Sequence, residues 1–178
     1  MELLDLCPLE TWTTLEDEIY STSQLNPAVY NTKGIRIHRS HRWPNRLCPE
    51  IKSIPKGQSF ICATAHMNLA NTAKNTRRPV IEECDAGMVK LLVPVIVDDT
   101  YLGSVGGCGK IFEGGEVDTY LVNKITGMEE DKVEALAGEV PSITMEHARE
   151  LADFIQGRIG GIVSAFLDRG RGRSPKGP

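Results

Sequence analysis

Apolar residues recur along this chain with two different periods. Between 88 and 112 they form two extended runs, "MVKLLVPVIV" and "YLGSVGGCGKIF", separated by the polar turn "DDT". That arrangement predicts a β-hairpin, and Pro94 inside the first run predicts an edge position or a bulge. From 144 to 168 the apolar residues instead fall at 148, 151, 152, 155, 159, 162, 163 and 166, a helical stripe. This stripe can pack on the sheet or on a second copy of the chain, so a homodimer is expected. The run from 59 to 76 also has a helical period, with Cys62, His66, Leu69 and Ala73 on one inward face.

Weaker signals fill the rest. "TTLEDEIYSTSQ" reads as a short helix, with Thr14 and Asp17 spaced as in a capping box. Strand-like runs at 27–30 and 35–39 flank the turn "NTKG", and "VIEEC" is a further strand. The three prolines in 43–58 predict irregular chain around Cys48. Segments 117–126 and 129–139 read as helices. The sum is an α+β fold: an antiparallel sheet of about five strands, helices on one face and a long C-terminal helix.

Length fits one domain over 1–168. From 169 to 178 the sequence "RGRGRSPKGP" carries four basic residues and no acid, and reads as a disordered basic tail. The remainder holds 16 basic and 24 acidic side chains, a balance that argues against nucleic-acid binding by this domain. The longest apolar run, "LLVPVIV", is too short to cross a bilayer. An acidic start without a cleavage site points to the cytoplasm.

In that compartment five cysteines, an odd number, do not suggest a disulfide scaffold. Cys48, Cys62, Cys84 and Cys108 lie 14, 22 and 24 positions apart with no C-x-x-C pair, so spacing alone is a weak metal signal. Inert packing, metal binding and redox chemistry all stay open. Glycines 103, 106, 107 and 109 are expected to leave one side of the second hairpin strand bare, for another backbone or a ligand. His66, one turn after Cys62, is a candidate ligand-pocket residue or a structural histidine. A cysteine nucleophile served by His66 lacks a third orienting group and an oxyanion motif, so no catalytic residue is expected.

A Cys in "RLCPE", a Cys in "FICATA", the block "CDAGM" and the hairpin "VPVIVDDTYLGSVGG" occur in one order across most of the chain. Together they resemble the PocR sensory domain, a ligand-sensing module related in shape to PAS and GAF domains. Two positions depart from the family pattern: Asp85 stands where a His is usual, and Cys108 where a Gln is usual. The resemblance implies a sensor of a small organic molecule that feeds signal transduction or transcriptional regulation through an output partner. Folded in that way, Cys48, Cys62, Cys84 and Cys108 would lie around one pocket, able to hold zinc or an iron–sulfur cluster. His66, Asp85, Gly87, Gly106 and Gly107 would line it. The alternatives are a stand-alone cysteine-rich protein with a structural metal site and a cysteine-dependent enzyme.

Overall fold

The computed structural model describes residues 1–171. Two N-terminal helices, α1 (Leu3–Leu6) and α2 (Leu9–Ser23), precede strand β1 (Asn26–Asn31). Helices α3 (Leu47–Ser53) and α4 (Pro55–Gly57) lead through a π-helical segment (Gln58–Ala63) into α5 (Thr64–Thr76). Strands β2 (Val80–Glu83), β3 (Val89–Val97) and β4 (Thr100–Phe112) follow, then α6 (Thr119–Thr126), α7 (Glu130–Ala137), β5 (Ser142–Ile143) and α8 (Met145–Arg171). The α+β class, the five-stranded sheet and the long last helix agree with the sequence. The basic tail falls, from residue 172 onward, outside the described residues, and α8 runs through position 169 as helix.

The sheet is ordered β1-β4-β3-β2 with antiparallel neighbours, and β5 joins β4 in parallel. Its centre is the expected hairpin. Val97 pairs with Thr100, and Asp98 and Asp99 both take positive φ (43° and 68°), as a two-residue type I′ loop requires. Pro94 sits opposite Ser104, beyond the last β2 pair at Leu92, so β3 is locally an edge there and the missing N–H costs no ladder bond.

Helices cover both faces of this sheet, not one. Leu91, Val93, Val95 and Val105 point to the face packed by α2 and α8, in a core with Trp12, Leu15, Ile19, Leu151 and Ile155. Leu92 and Val80 point the other way, onto Leu69 and Ala73 of α5. A strand buried on both sides reads as a nearly continuous apolar run, which is what "VKLLVPVIV" is. The α8 stripe packs onto this core, with Ala148, Leu151, Ala152, Ile155 and Ile159 buried and Ile162, Val163 and Phe166 partly buried.

Three local expectations are corrected. Residues 35–39 form no strand; the segment makes a single bridge, Tyr30 to Arg36, while the Arg36 guanidinium donates to the carbonyls of Pro27 (3.0 Å) and Ser40 (2.6 Å). The segment around Cys48 is helical, because Pro49 lies in the first turn of α3, where no intrahelical N–H is needed. The N-terminal helix begins at Leu9 behind Pro8, so Thr14 lies inside it and its hydroxyl donates to the Glu10 carbonyl at 2.8 Å. Buried Glu16 of the same helix accepts from the Val29 amide at 2.9 Å and ties α2 to β1.

Candidate functional site

Between α5 and the sheet lies a cavity of about 370 Å³, within the size range of ligand pockets. Its floor is the α5-facing side of the sheet: Asn26 and Tyr30 of β1, Lys90 of β3, and Cys108 and Gly109 of β4. Register makes this a single surface, since Asn26 and Lys90 both pair with Cys108. One wall comes from the π-helical segment and the start of α5, through Gln58, Ile61, Cys62, His66 and Met67. π-Turns often mark functional sites; here the widened turn presents Gln58, Ile61 and Cys62 to the same space as His66. Cys48, Ile51 and Lys52 of α3 form a second wall, Cys84 and Met88 a third, and Lys33–Arg36 with Trp43 the rim.

All four predicted cysteines therefore reach one cavity, from four separate stretches of chain. Each is a free thiol. Burial and neighbouring Cys108 push the Cys62 thiol up to about 11, and the same two causes raise Cys48 further. Burial also raises Cys84. The Cys48 sulfur is 3.3 Å from the Asn45 amide nitrogen and 3.4 Å from the Met88 sulfur. Among the described residues, no group of three or more His, Cys, Asp or Glu side chains is arranged to hold a metal ion.

His66 is 5 % exposed, and neither ring nitrogen has a hydrogen-bond partner. Burial, with the fields of Lys90, Arg36 and Lys52, lowers its pKa to about 3, so the imidazole is neutral. A neutral ring offers one donor and one acceptor. Buried polar atoms are nearly always paired, so an unpaired pair beside a cavity leaves two hydrogen-bonding positions open toward that space.

The other sequence candidates lie elsewhere. Asp85 is exposed on the turn 84–87. Gly87 closes that turn in the left-handed region (φ 78°), donating to the Cys84 carbonyl, and a Cβ there would meet the Glu116 carbonyl at 2.4 Å. The glycines of β4 do not bare one side. Gly106 faces α5 while Gly103 and Gly107 face α8, and neither Gly106 nor Gly107 lines the cavity. A Cβ on Gly106 would sit 1.8 Å from the Leu91 carbonyl oxygen, and one on Gly107 would sit 2.9 Å from Leu25 Cβ. The close approach these glycines permit is that of neighbouring chain; of the four, Gly109 alone lines the cavity.

Lys90, Arg36, Lys52, Tyr30 and Asn45 were not singled out from sequence. Lys90 did carry a signal: it is the sole charge in the nine-residue strand β3, 7 % exposed, on the face opposite Leu91. Burial disfavours its charge, whereas Tyr30 and the thiols of Cys108, Cys84 and Cys62 favour it once they ionise, and the ammonium is held above its ordinary value. Asn45 carried none. Its amide donates to the Gly109 carbonyl (2.5 Å) and its oxygen accepts from the Cys48 amide (2.7 Å), fastening α3 to the end of β4.

Residues 5–165 match the family described as a sensory domain found in PocR. No curated protein and no solved structure is significantly similar to the chain.

Proposed function

The chain belongs to the PocR sensory-domain family, and from that premise we propose that it senses a small organic molecule bound between α5 and the sheet. The observation that carries this reading is His66, buried against a 370 Å³ cavity with both ring nitrogens unpaired. The site binds and does not turn over its ligand. Raised thiols at Cys48, Cys62 and Cys84 are the reverse of an activated nucleophile.

Sensing requires that the ligand favour one of two conformations. The cavity and α8 lie on opposite faces, so a signal to the last helix crosses β3, where Lys90 and Leu92 face the ligand side and Leu91 and Val93 face α8. The output is regulatory, in the cytoplasm, through a partner not contained in residues 1–171. Among those residues no helix is long and apolar enough to cross a membrane.

A second reading places zinc or an iron–sulfur cluster on Cys48, Cys62, Cys84 and Cys108. Its support is that the four thiols share one cavity and feel one another's charge. Holding an ion would require these side chains to close on it.

One experiment separates the two. Metabolite-library thermal shifts are measured on anaerobically purified protein and on Ala63→Phe, whose ring enters the cavity, together with zinc and iron content. A ligand present at a hundredfold its Kd raises stability by about 2.7 kcal/mol, several degrees for a domain of this size. Shifts seen in the parent and lost in Ala63→Phe, with little metal, support the organic ligand. Stoichiometric zinc or iron, lost in Cys48→Ser, supports the second reading. A metal-free protein that no compound stabilises sinks both.

A further inference from the structure

Resting on the reading of the cavity as a ligand site, we infer that its ligand is a small organic anion: a carboxylate on an apolar body, with its charge at Lys90, Arg36 and Lys52. The chain is acidic overall, with 24 acidic against 20 basic side chains. The cavity inverts that balance. Lys33, Arg36, Lys52 and Lys90 line it, and no Asp or Glu does. The ion pairs formed among the described residues use none of these four cations. Glu82 stands opposite Lys90 in the β2–β3 register, but its side chain is exposed and makes no ion pair with it.

Lys90 is the decisive group. It rises from the floor at 7 % exposure, its ammonium 5.7 Å from the Tyr30 ring centroid. Arg36 lies over the same ring at 5.6 Å, with its Nε buried and unpaired. An aromatic face only partly compensates a cation withdrawn from water. A carboxylate compensates it fully, through short charge-assisted hydrogen bonds. His66, beside Tyr30, donates from one nitrogen to the same anionic group. A cleft lined by one sign of charge also concentrates ligands of the opposite sign.

The remaining walls choose the rest of the molecule. Trp43, Ile51, Ile61, Met67 and Met88 are apolar, and would be poor company for a hydrated phosphate. The cavity fits a carboxylate head and a compact hydrocarbon or aromatic remainder.

Calorimetric titrations of the full chain at pH 7.5 and low salt test this, using benzoate, phenylacetate and 4-methylpentanoate. Each is paired with its neutral amide, and inorganic phosphate is run alongside. At least one carboxylate is expected to bind about tenfold or more tighter than its amide, the worth of a charge-assisted hydrogen bond. Lys90→Met, which keeps the stem and removes the charge, is expected to erase that preference by weakening the carboxylate far more than the amide. Lys52→Gln, at a less buried position, should reduce the preference even if Lys90→Met fails to fold. Equal binding of acid and amide, binding of phosphate alone, or charge preference untouched in both variants overturns the inference. Amide binding that His66→Phe abolishes would keep the ligand cavity while the anion fails. Binding by none of these probes overturns the anion reading, and the library shifts of Ala63→Phe then decide whether the cavity reading survives.

Discussion

Tyr30 and His66 stack across the floor of the cavity, ring centroids 4.0 Å apart and planes tilted by 36°. One ring belongs to β1 and the other to α5, so the contact joins the sheet to the helix that covers it. The stack also fixes what each ring is free to do. Tyr30 turns its face to two cations, Arg36 and Lys90. His66 is left with its nitrogens unpaired and must stay neutral in their field.

That neutrality predicts a pH dependence. The folded-state pKa of His66, about 3, lies below the ordinary 6.5, so as pH falls the unfolded chain takes up the proton first. The stability it contributes is complete above about 6.5 and is lost between there and 3. Each pH unit inside that window is worth at most about 1.4 kcal/mol. Urea unfolding should show the parent losing up to about 2–3 kcal/mol more than His66→Phe between pH 6.5 and 4.5. Buried Glu16, raised in pKa by burial, acts in the opposite sense, but it is common to both proteins and cancels. Parallel pH profiles would show that His66 is hydrated and paired.

Gly106→Ala should be among the most damaging single substitutions. A methyl there falls 1.8 Å from the Leu91 carbonyl oxygen and 2.8 Å from its carbon, and the obstacle is the backbone of the adjacent strand, which cannot turn aside. Relief requires breaking the β3–β4 ladder at its middle. A loss of at least about 3 kcal/mol is expected, read from the midpoint of urea unfolding. A loss below about 1 kcal/mol would mean that the two strands are not paired in this register.

The parts of this architecture that were legible were those written with a clean period. The α8 stripe is apolar at helical spacing over about five turns, and "DDT" between two apolar runs has few readings besides a hairpin. Elsewhere two features competed. Three prolines concealed α3 and α4, because Pro49 and Pro55 each stand in a first turn, where proline is tolerated. The glycines of β4 looked like a cavity lining, but alternation along a strand sends Gly106 and Gly107 to opposite faces. The meeting of four cysteines could not come from their spacings; only the resemblance to a known family supplied a fold in which they converge. Lys90 does carry a signal in the sequence: a lone charge in a strand that is apolar on both faces is buried only where something compensates it.

The cysteines should be slow to react. Cys62 is pushed up to about 11 from 9.0, so at pH 8 its thiolate fraction is about a hundredfold below that of an ordinary thiol. Timed alkylation with iodoacetamide, resolved by peptide mass spectrometry, should find Cys48, Cys62 and Cys84 of the folded, metal-free protein modified at least about tenfold more slowly than in urea. Rapid modification of any of the three in the folded state would point to a thiolate, and would restore the redox and nucleophile readings for that residue.

The last helix offers a test of whether another chain covers it. Gly157, Gly160 and Gly161 lie within α8, yet a Cβ placed on any of them meets nothing within 4 Å. In an isolated chain nothing opposes alanine at these positions, and glycine in a helix interior costs roughly 0.5–1 kcal/mol relative to alanine. The triple alanine variant should therefore gain about 1.5–3 kcal/mol, several degrees in Tm for a domain of this size. A second copy packed on that surface would reverse the sign, because small residues let helices approach closely and three added methyls would force them apart. Thermal unfolding across a hundredfold range of protein concentration distinguishes the cases. A higher Tm that does not vary with concentration fits a helix facing solvent. A lower Tm, with a concentration dependence present in the parent and weakened in the variant, would show that the three glycines form a contact between chains and would place a dimer on a different face from the apolar stripe.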